Sequence, residues 1–219
     1  MADEDFLIAV KHRLGLHPME GLPAKCECGT QLSEDPQHFY SCSKRRAKNA
    51  RHDAIVRLLF KAFSQVGTTF RLEPRMYATE RVRPDLDVIL PGQHVMFDVA
   101  VTHPGAPCRK SDKPCAAAND MQATKNRKYK DWALALGAKF LPFVLETHGA
   151  LGQQAEDVLK LLTKAASASS HLPMPVRDFM KYTRQALSIS LQRGNALVAK
   201  MGAIDARTAA AAAVRASLR

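Results

Sequence analysis

The chain has 219 residues, 46% hydrophobic and 24% charged, enough for one core with an accessory piece and too apolar for a disordered polymer. Lys and Arg outnumber Asp and Glu by 32 to 21, a net charge of +11, so an anionic partner is expected, and nucleic acid is the commonest. No run of ~18 apolar residues occurs, which argues against a membrane-spanning helix, and the opening MADEDFLIAVKHRLG is acidic and then amphipathic, unlike a signal peptide.

A short helix is expected over residues 5–14. The loop-like stretch CECGTQLSEDPQHFYSC follows, from Cys26 to Cys42. It holds Cys26, Cys28, His38 and Cys42, three thiols and an imidazole with too few apolar neighbours to bury free cysteines. That donor set suits tetrahedral Zn²⁺, and the His-x₃-Cys spacing fits one helical turn. Ligation rather than a disulfide framework implies a reducing compartment. The basic run Lys44, Arg45, Arg46, Lys48 and Arg51 comes next, where such a knuckle would position a DNA-binding edge. Ile55, Leu58, Leu59, Ala62, Phe63 and Val66 then form one apolar helical stripe, ended by Gly67.

TTFRLEP is expected as a strand closed by Pro74, and RVRPDLDVILPGQHVMFDVAVT as a hairpin turning at Pro91-Gly92. A helix over Ala116–Leu136, a strand KFLPFVLET and a helix over Leu151–Ala166 complete an α-β-β-β-α-β-α order, which packs as a mixed sheet flanked by helices. Pro142 points to an edge strand or a bulge. SASSHLPMP is a linker by composition, and two helices are expected after it.

The hairpin holds Asp85, Asp87 and Asp98. Alternation puts Leu86, Val88 and Leu90 on one face and the carboxylates on the other. A two-residue loop sets Asp85 across from Asp98; a four-residue loop sets Asp87 there. Opposed β-carbons lie ~5 Å apart and like charges there repel, so a divalent cation is a natural offset. On the following helix Met121, Lys125, Lys128, Trp132 and Leu136 fall on one stripe, which brings two lysines to the face expected to cover the sheet. They either snorkel to water or point at the carboxylates and a bound phosphate.

Arg83-Pro84-Asp85, Asp98 and Lys125-x-x-Lys128-Tyr129 in this order resemble a PD-(D/E)xK nuclease, and more narrowly the restriction-like endonuclease domain of site-specific non-LTR retrotransposons. The Cys/His knuckle, Arg51-His52-Asp53 and Glu73-Pro74 fit that variant, and the resemblance spans about residues 26–150. It implies an α/β (α+β) fold with a restriction-endonuclease-like αβββαβ core over 46–167, an N-terminal helix and zinc knuckle over 1–45, and a linker with helical extension over 168–219. It also implies a DNA endonuclease in which Asp85 and Asp98, with Glu73, hold Mg²⁺ or Mn²⁺ and Lys125 or Lys128 acts on water or phosphate. Tyr129 either supports the lysine or packs, and His52 either contacts DNA or is a satisfied core histidine. Implied partners are DNA, a reverse transcriptase region and element RNA; the implied location is intracellular and nuclear. The usual lysine position, two residues after the second acid, is Ala100. An alternative is therefore a zinc-bearing nucleic-acid-binding module on a degenerate nuclease scaffold. Such domains end longer proteins bearing a polymerase; this sequence carries none, which leaves an excised domain, a fragment or a stand-alone relative open.

Overall fold

A computed structural model of the chain describes residues 1–44, 47–72, 83–106 and 113–218. Its elements run α1 (Asp3–Arg13), α2 (His38–Ser41), α3 (Ala47–Gln65), β1 (Thr69–Leu72), β2 (Leu86–Leu90), β3 (Gln93–Thr102), α4 (Ala116–Ala135), β4 (Lys139–Glu146), α5 (Gln153–Ala168) and α6 (Val176–Ser217). The four strands form a mixed sheet in the order β1-β2-β3-β4, antiparallel except for the parallel β3–β4 pair. A parallel neighbour needs a crossover connection, and α4 supplies it. Pro142, which lacks a ladder donor, sits in β4 at the sheet edge.

The β2–β3 register follows from the turn. Leu90 pairs with Gln93, so the loop is Pro91-Gly92 alone. Proline pre-sets the first turn position, and Gly92 supplies the positive φ, +71°, that the second requires. With that register Leu86, Val88, Leu90, Val95, Phe97 and Val99 share one face. They pack with Leu141, Phe143 and Leu145 of β4 against the stripe of α3, the inner side of α5, and Phe179, Leu187 and Leu191 of α6. The opposite face is covered by α4 through two smaller clusters: Met96 and Phe140 against Tyr129 and Ala133, and Ala100 and Val144 against Ala118.

Two expectations are corrected. The C-terminal part is one helix of 42 residues rather than two. Its glycines, ordinarily helix-weakening, sit where neighbours approach closely. A β-carbon on Gly194 would lie 2.4 Å from Arg51 Cγ, and one on Gly202 would lie 2.5 Å from Phe39 Cδ1. The α4 face is also rotated by one residue: its buried positions are Ala117, Ala118, Gln122, Tyr129 and Ala133, while Lys128 and Leu136 are exposed. Three small alanines let the helix lie close to the sheet, and Tyr129 fills the remaining space by stacking on Phe140 with centroids 4.9 Å apart. Among the described residues no helix is long and apolar enough to cross a membrane.

The Gly202 contact yields a prediction. Gly202→Ala forces its methyl into the Phe39 ring and is expected to cost about 1–3 kcal/mol, an overpacking penalty, read as a lower midpoint in urea unfolding.

Candidate metal centre and carboxylate–lysine cleft

The knuckle is built by a tight turn and a short helix. Cys26 N–H donates to Thr30 O and Gly29 N–H to Cys26 O, both at 2.9 Å, which curls Cys28 back beside Cys26. One turn of α2 brings His38 and Cys42 together, with Cys42 N–H donating to His38 O at 2.8 Å. Ligand atoms of Cys26, Cys28, His38 and Cys42 all lie within 4.8 Å of one another. Cys26 Sγ is 3.6 Å from Cys42 Sγ, and Cys28 Sγ is 3.1 Å from His38 Nε2. With Zn–S bonds of ~2.3 Å, tetrahedral edges are close to this size, so the set can hold zinc. Asp35 Oδ2 lies 3.5 Å from His38 Nδ1, on the far side of the ring from the thiols, where an outer partner orients a ligating imidazole. Burial pushes the Cys26 thiol up to about 12. Burial also opposes the Cys28 thiolate, but donation from Thr30 and the neighbouring thiols outweighs it and brings Cys28 down to about 6.

The second site lies where β2 and β3 face α4. Asp85, the residue before β2, donates its N–H to Phe97 O at 2.9 Å, and its charge acts on Asp98 of β3. Asp85 Oδ2 accepts Val99 N–H at 2.7 Å and His52 Nε2 at 3.0 Å. Lys125 Nζ lies 2.5 Å from Asp98 Oδ2, an ion pair whose side chains are 23% and 5% exposed. Burial first, and then the charge on Asp85, raise the Asp98 carboxyl above the usual range; Lys125 works against them. The hairpin thus gathers carboxylate charge on one face, and a helix-borne cation meets it there.

The remaining candidate residues separate. Lys128 is exposed and donates to Tyr129 Oη at 3.2 Å, with its ammonium 4.7 Å over that ring. Tyr129 is buried and donates to Arg83 O at 3.3 Å, which ties α4 to the residue before Pro84-Asp85. Asp87 is buried and paired with His94 across the hairpin, apart from the Asp98 pair. His52 turns toward Asp85 and also bonds Asp53 at 3.1 Å; the Asp85 bond outweighs burial and raises the imidazole to about 9. Arg51 does not lie on a nucleic-acid-facing edge. It is 2% exposed and donates to Asn195 Oδ1 of α6 at 2.7 Å. Helical geometry sends consecutive residues 51 and 52 in directions ~100° apart, one inward and one to the cleft. Lys44 is exposed, and Lys48 donates to Cys42 O at 3.3 Å. Glu73, Arg45 and Arg46 lie outside the described residues.

One cluster has no counterpart in the sequence reading. His12 of α1, Tyr40 of α2, His103 after β3 and His148 after β4 pack ring on ring. His12 stacks on His148 at 4.3 Å and meets Tyr40 at 4.0 Å, and its Nδ1 pairs with Gln37 of the knuckle. His103 Nδ1 bonds Thr147 Oγ1 at 2.8 Å. Its members are scattered over 137 positions (148 less 12, plus one) without a common spacing, so only the fold assembles them.

No family model matches the chain. Over 146 residues it is 30% identical to the 132 kDa protein of the retrotransposable element SLACS from Trypanosoma brucei gambiense. The match covers 62% of this chain and 12% of that much longer protein. The chain is therefore related to a retrotransposon protein.

Two outcomes are expected. Purified protein carries one zinc per chain by elemental analysis, and Cys42→Ser lowers the content at least about tenfold by removing one of four ligands. Stability also falls with acid. Burial, then neighbouring positive charge, lowers His12 to about 4 and His103 to about 3, against about 6.5 when unfolded. Their contribution is full above pH 6.5 and is lost as pH falls toward 4, because the unfolded chain then binds more protons. Arg51, Arg13 and Lys48 oppose protonation of the cluster, and Glu146 favours it at His148. Denaturant midpoints should drop between pH 7 and pH 5, and a His103→Asn variant should show a shallower drop.

Proposed function

We propose that the chain is a metal-dependent DNA endonuclease module on a restriction-like fold, nicking target DNA for a retrotransposon-type element. The observation that carries it is the ion pair of Lys125 with Asp98 beside Asp85, on a sheet face shielded by α4. The relation to a retrotransposon protein supports the setting.

Asp85 and Asp98 offer hard oxygen donors to Mg²⁺ or Mn²⁺, and Glu73 is the further acid assigned to that shell. Such an ion, when bound, polarises a phosphate oxygen and lowers the pKa of a bound water. Val99 N–H and His52 hold Oδ2 of Asp85 in place. The Lys125 ammonium, at the rim of the same cleft, orients the attacking water or stabilises charge on the pentavalent phosphorus. Lys128 is exposed beside it and serves the phosphate backbone. Tyr129 acts as a positioning residue through Arg83 O. Lys44 and Lys48 at the head of α3 extend the basic contact surface next to the knuckle, with Arg45 and Arg46 assigned the same role. Cleavage would leave a 3′-hydroxyl to prime reverse transcription, so a polymerase region and element RNA are the natural partners, in the nucleus.

A zinc-bearing DNA-binding module is the second reading, and Ala100 at the usual lysine position favours it. Supercoiled plasmid separates the two. With Mg²⁺ or Mn²⁺ the protein should convert it to nicked circles. Asp98→Ala and Lys125→Ala should each slow this by about 10²-fold or more, while Lys128→Ala mainly weakens DNA affinity. Absence of nicking with either metal, alongside salt-dependent DNA binding, would establish the binding module instead.

A further inference from the structure

A further buried carboxylate of the hairpin lies outside the cleft. Asp87 is 2% exposed and pairs with His94 Nε2 across the two strands. His94 sits four residues before Asp98 on the α4-facing side of β3, about 13 Å away along the strand. A carboxylate on one ring nitrogen fixes the imidazole and leaves Nδ1 for another partner. His94 lines a cavity of about 560 Å³ at the hairpin end of the sheet, with Asn126 and Lys130 of α4, Lys139 at the start of β4 and Gln154 of α5. Among the described residues no carboxylate lines it.

The lining combines three kinds of group. Lys130 and Lys139, both exposed, add two cations beside the His94 ring. Asn126 Nδ2 donates to Gln154 Oε1 at 2.8 Å, and Gln154 N–H donates to Gln122 Oε1 at 2.8 Å, so the two amides are held in place. That pairing leaves Asn126 Oδ1 beside Gln154 Nε2, an acceptor next to a donor, which complements the edge of a nucleobase. Leu134, 70% exposed, and Phe140 supply an apolar wall. The strand edge here also carries a donor. Val144 O accepts Gly152 N–H at 3.0 Å and Glu146 N–H donates to Ala150 O at 2.8 Å, both on the side of β4 away from β3. Backbone groups alternate along a strand, so the Phe140 N–H faces that same outer side, next to the cavity. Pro142 has no donor at the following outward position, so a peptide strand added to this edge would miss that bond. One N–H among cations suits an anion better than a strand.

We propose that this cavity binds a nucleotide unit, its phosphate at Lys130, Lys139 and His94 and its base on Leu134 with the base edge on Asn126 and Gln154. Asp87 is a positioning residue that holds the His94 ring. The volume is in the range of ~300–1,000 Å³ typical of small-ligand pockets. A free nucleotide and one unit of a single strand present the same chemistry to these groups. The site is separate from the Asp85–Asp98 cleft and stands whether or not that cleft cuts DNA.

Amide NMR titration of the full chain, with no divalent metal added, tests this with adenosine monophosphate, ribose 5-phosphate and a tetra-adenylate RNA. Adenosine monophosphate should give saturable shifts at Gln93, His94, Asn126, Phe140 and Gln154. Lys139→Glu and His94→Ala should each weaken binding about tenfold or more, the loss of one charge-assisted contact. Asp87→Asn should weaken it in the native chain and add nothing in the His94→Ala background, which a purely structural role would not produce. Asp98→Ala, in the cleft, should leave the affinity within about twofold. Tetra-adenylate bound at least about tenfold tighter than the monophosphate assigns the cavity to a strand, and similar or weaker binding assigns it to the free nucleotide. Absence of shifts at these amides up to ~10 mM ligand overturns the proposal. So does ribose 5-phosphate binding as tightly as the full nucleotide, a Lys139→Glu variant that binds normally, or binding that is lost in Asp98→Ala.

Discussion

A sheet that buries carboxylates must surround them with compensating charge, and the packing of α4 on β2 and β3 depends on that requirement. Asp98 is almost fully enclosed, and the like charge of Asp85 acts on it from the start of the neighbouring strand. Isolated in that position, the pair would favour protonation or separation of the strands. Lys125 supplies the counter-charge from above, while Val99 N–H and His52 bind Asp85 from the backbone and from α3. Breaking a buried pair by removing one member leaves an uncompensated charge, which costs more than the intact pair contributes. The cleft is therefore held by groups from three separate elements, and each must arrive at its own register.

The arrival of α3 explains why the knuckle and α6 matter to the carboxylate–lysine cleft. Arg51 points inward to Asn195 of α6, and His52, the next residue, points to Asp85. Any rotation of α3 that loosens one contact disturbs the other. Asn195 in turn donates to Thr147 O at 2.8 Å, beside the histidine cluster that carries His12 and Tyr40. Lys48 links the same helix to Cys42 of the knuckle. A metal in the knuckle would fix α2, and α2 is close-packed on α6 at Gly202. Continuous packing, rather than a flexible tether, joins the two sites.

Local rules account for the parts that were legible in the sequence. Strand alternation and a proline-glycine turn narrow the hairpin to a two- or a four-residue loop, and the structure has the two-residue one. The Cys/His spacing fixed the ligand cluster by the same kind of local geometry. The failures are tertiary. Helical spacing puts Met121, Lys125, Lys128, Trp132 and Leu136 on one stripe of α4, whereas close approach to the sheet selects small residues, Ala118 and Ala133, and turns the helix by one position. Arg51 reads as surface charge because burial of an arginine depends on a partner 144 positions away. Glycine ordinarily weakens a helix, yet the lack of a side chain at Gly194 and Gly202 is what admits Arg51 and Phe39.

The same distinction bears on Lys125 and Lys128. Both lie near the covering face of α4 by periodicity, and nothing in their spacing ranks one over the other. Rotation of the helix about Tyr129 breaks the tie: it carries Lys125 over Asp98 and sends Lys128 to the solvent side of the phenol. Tyr129 is thus the residue on which the assignment of the two cations turns, because its stacking on Phe140 and its bond to Arg83 O set both the azimuth of α4 and its height above the hairpin. An aromatic side chain is suited to this, since its ring resists the small rotations that an aliphatic side chain accommodates. The electrostatics of the cleft are in this sense a consequence of packing: the charges meet because an uncharged ring next to them leaves the helix one way to sit.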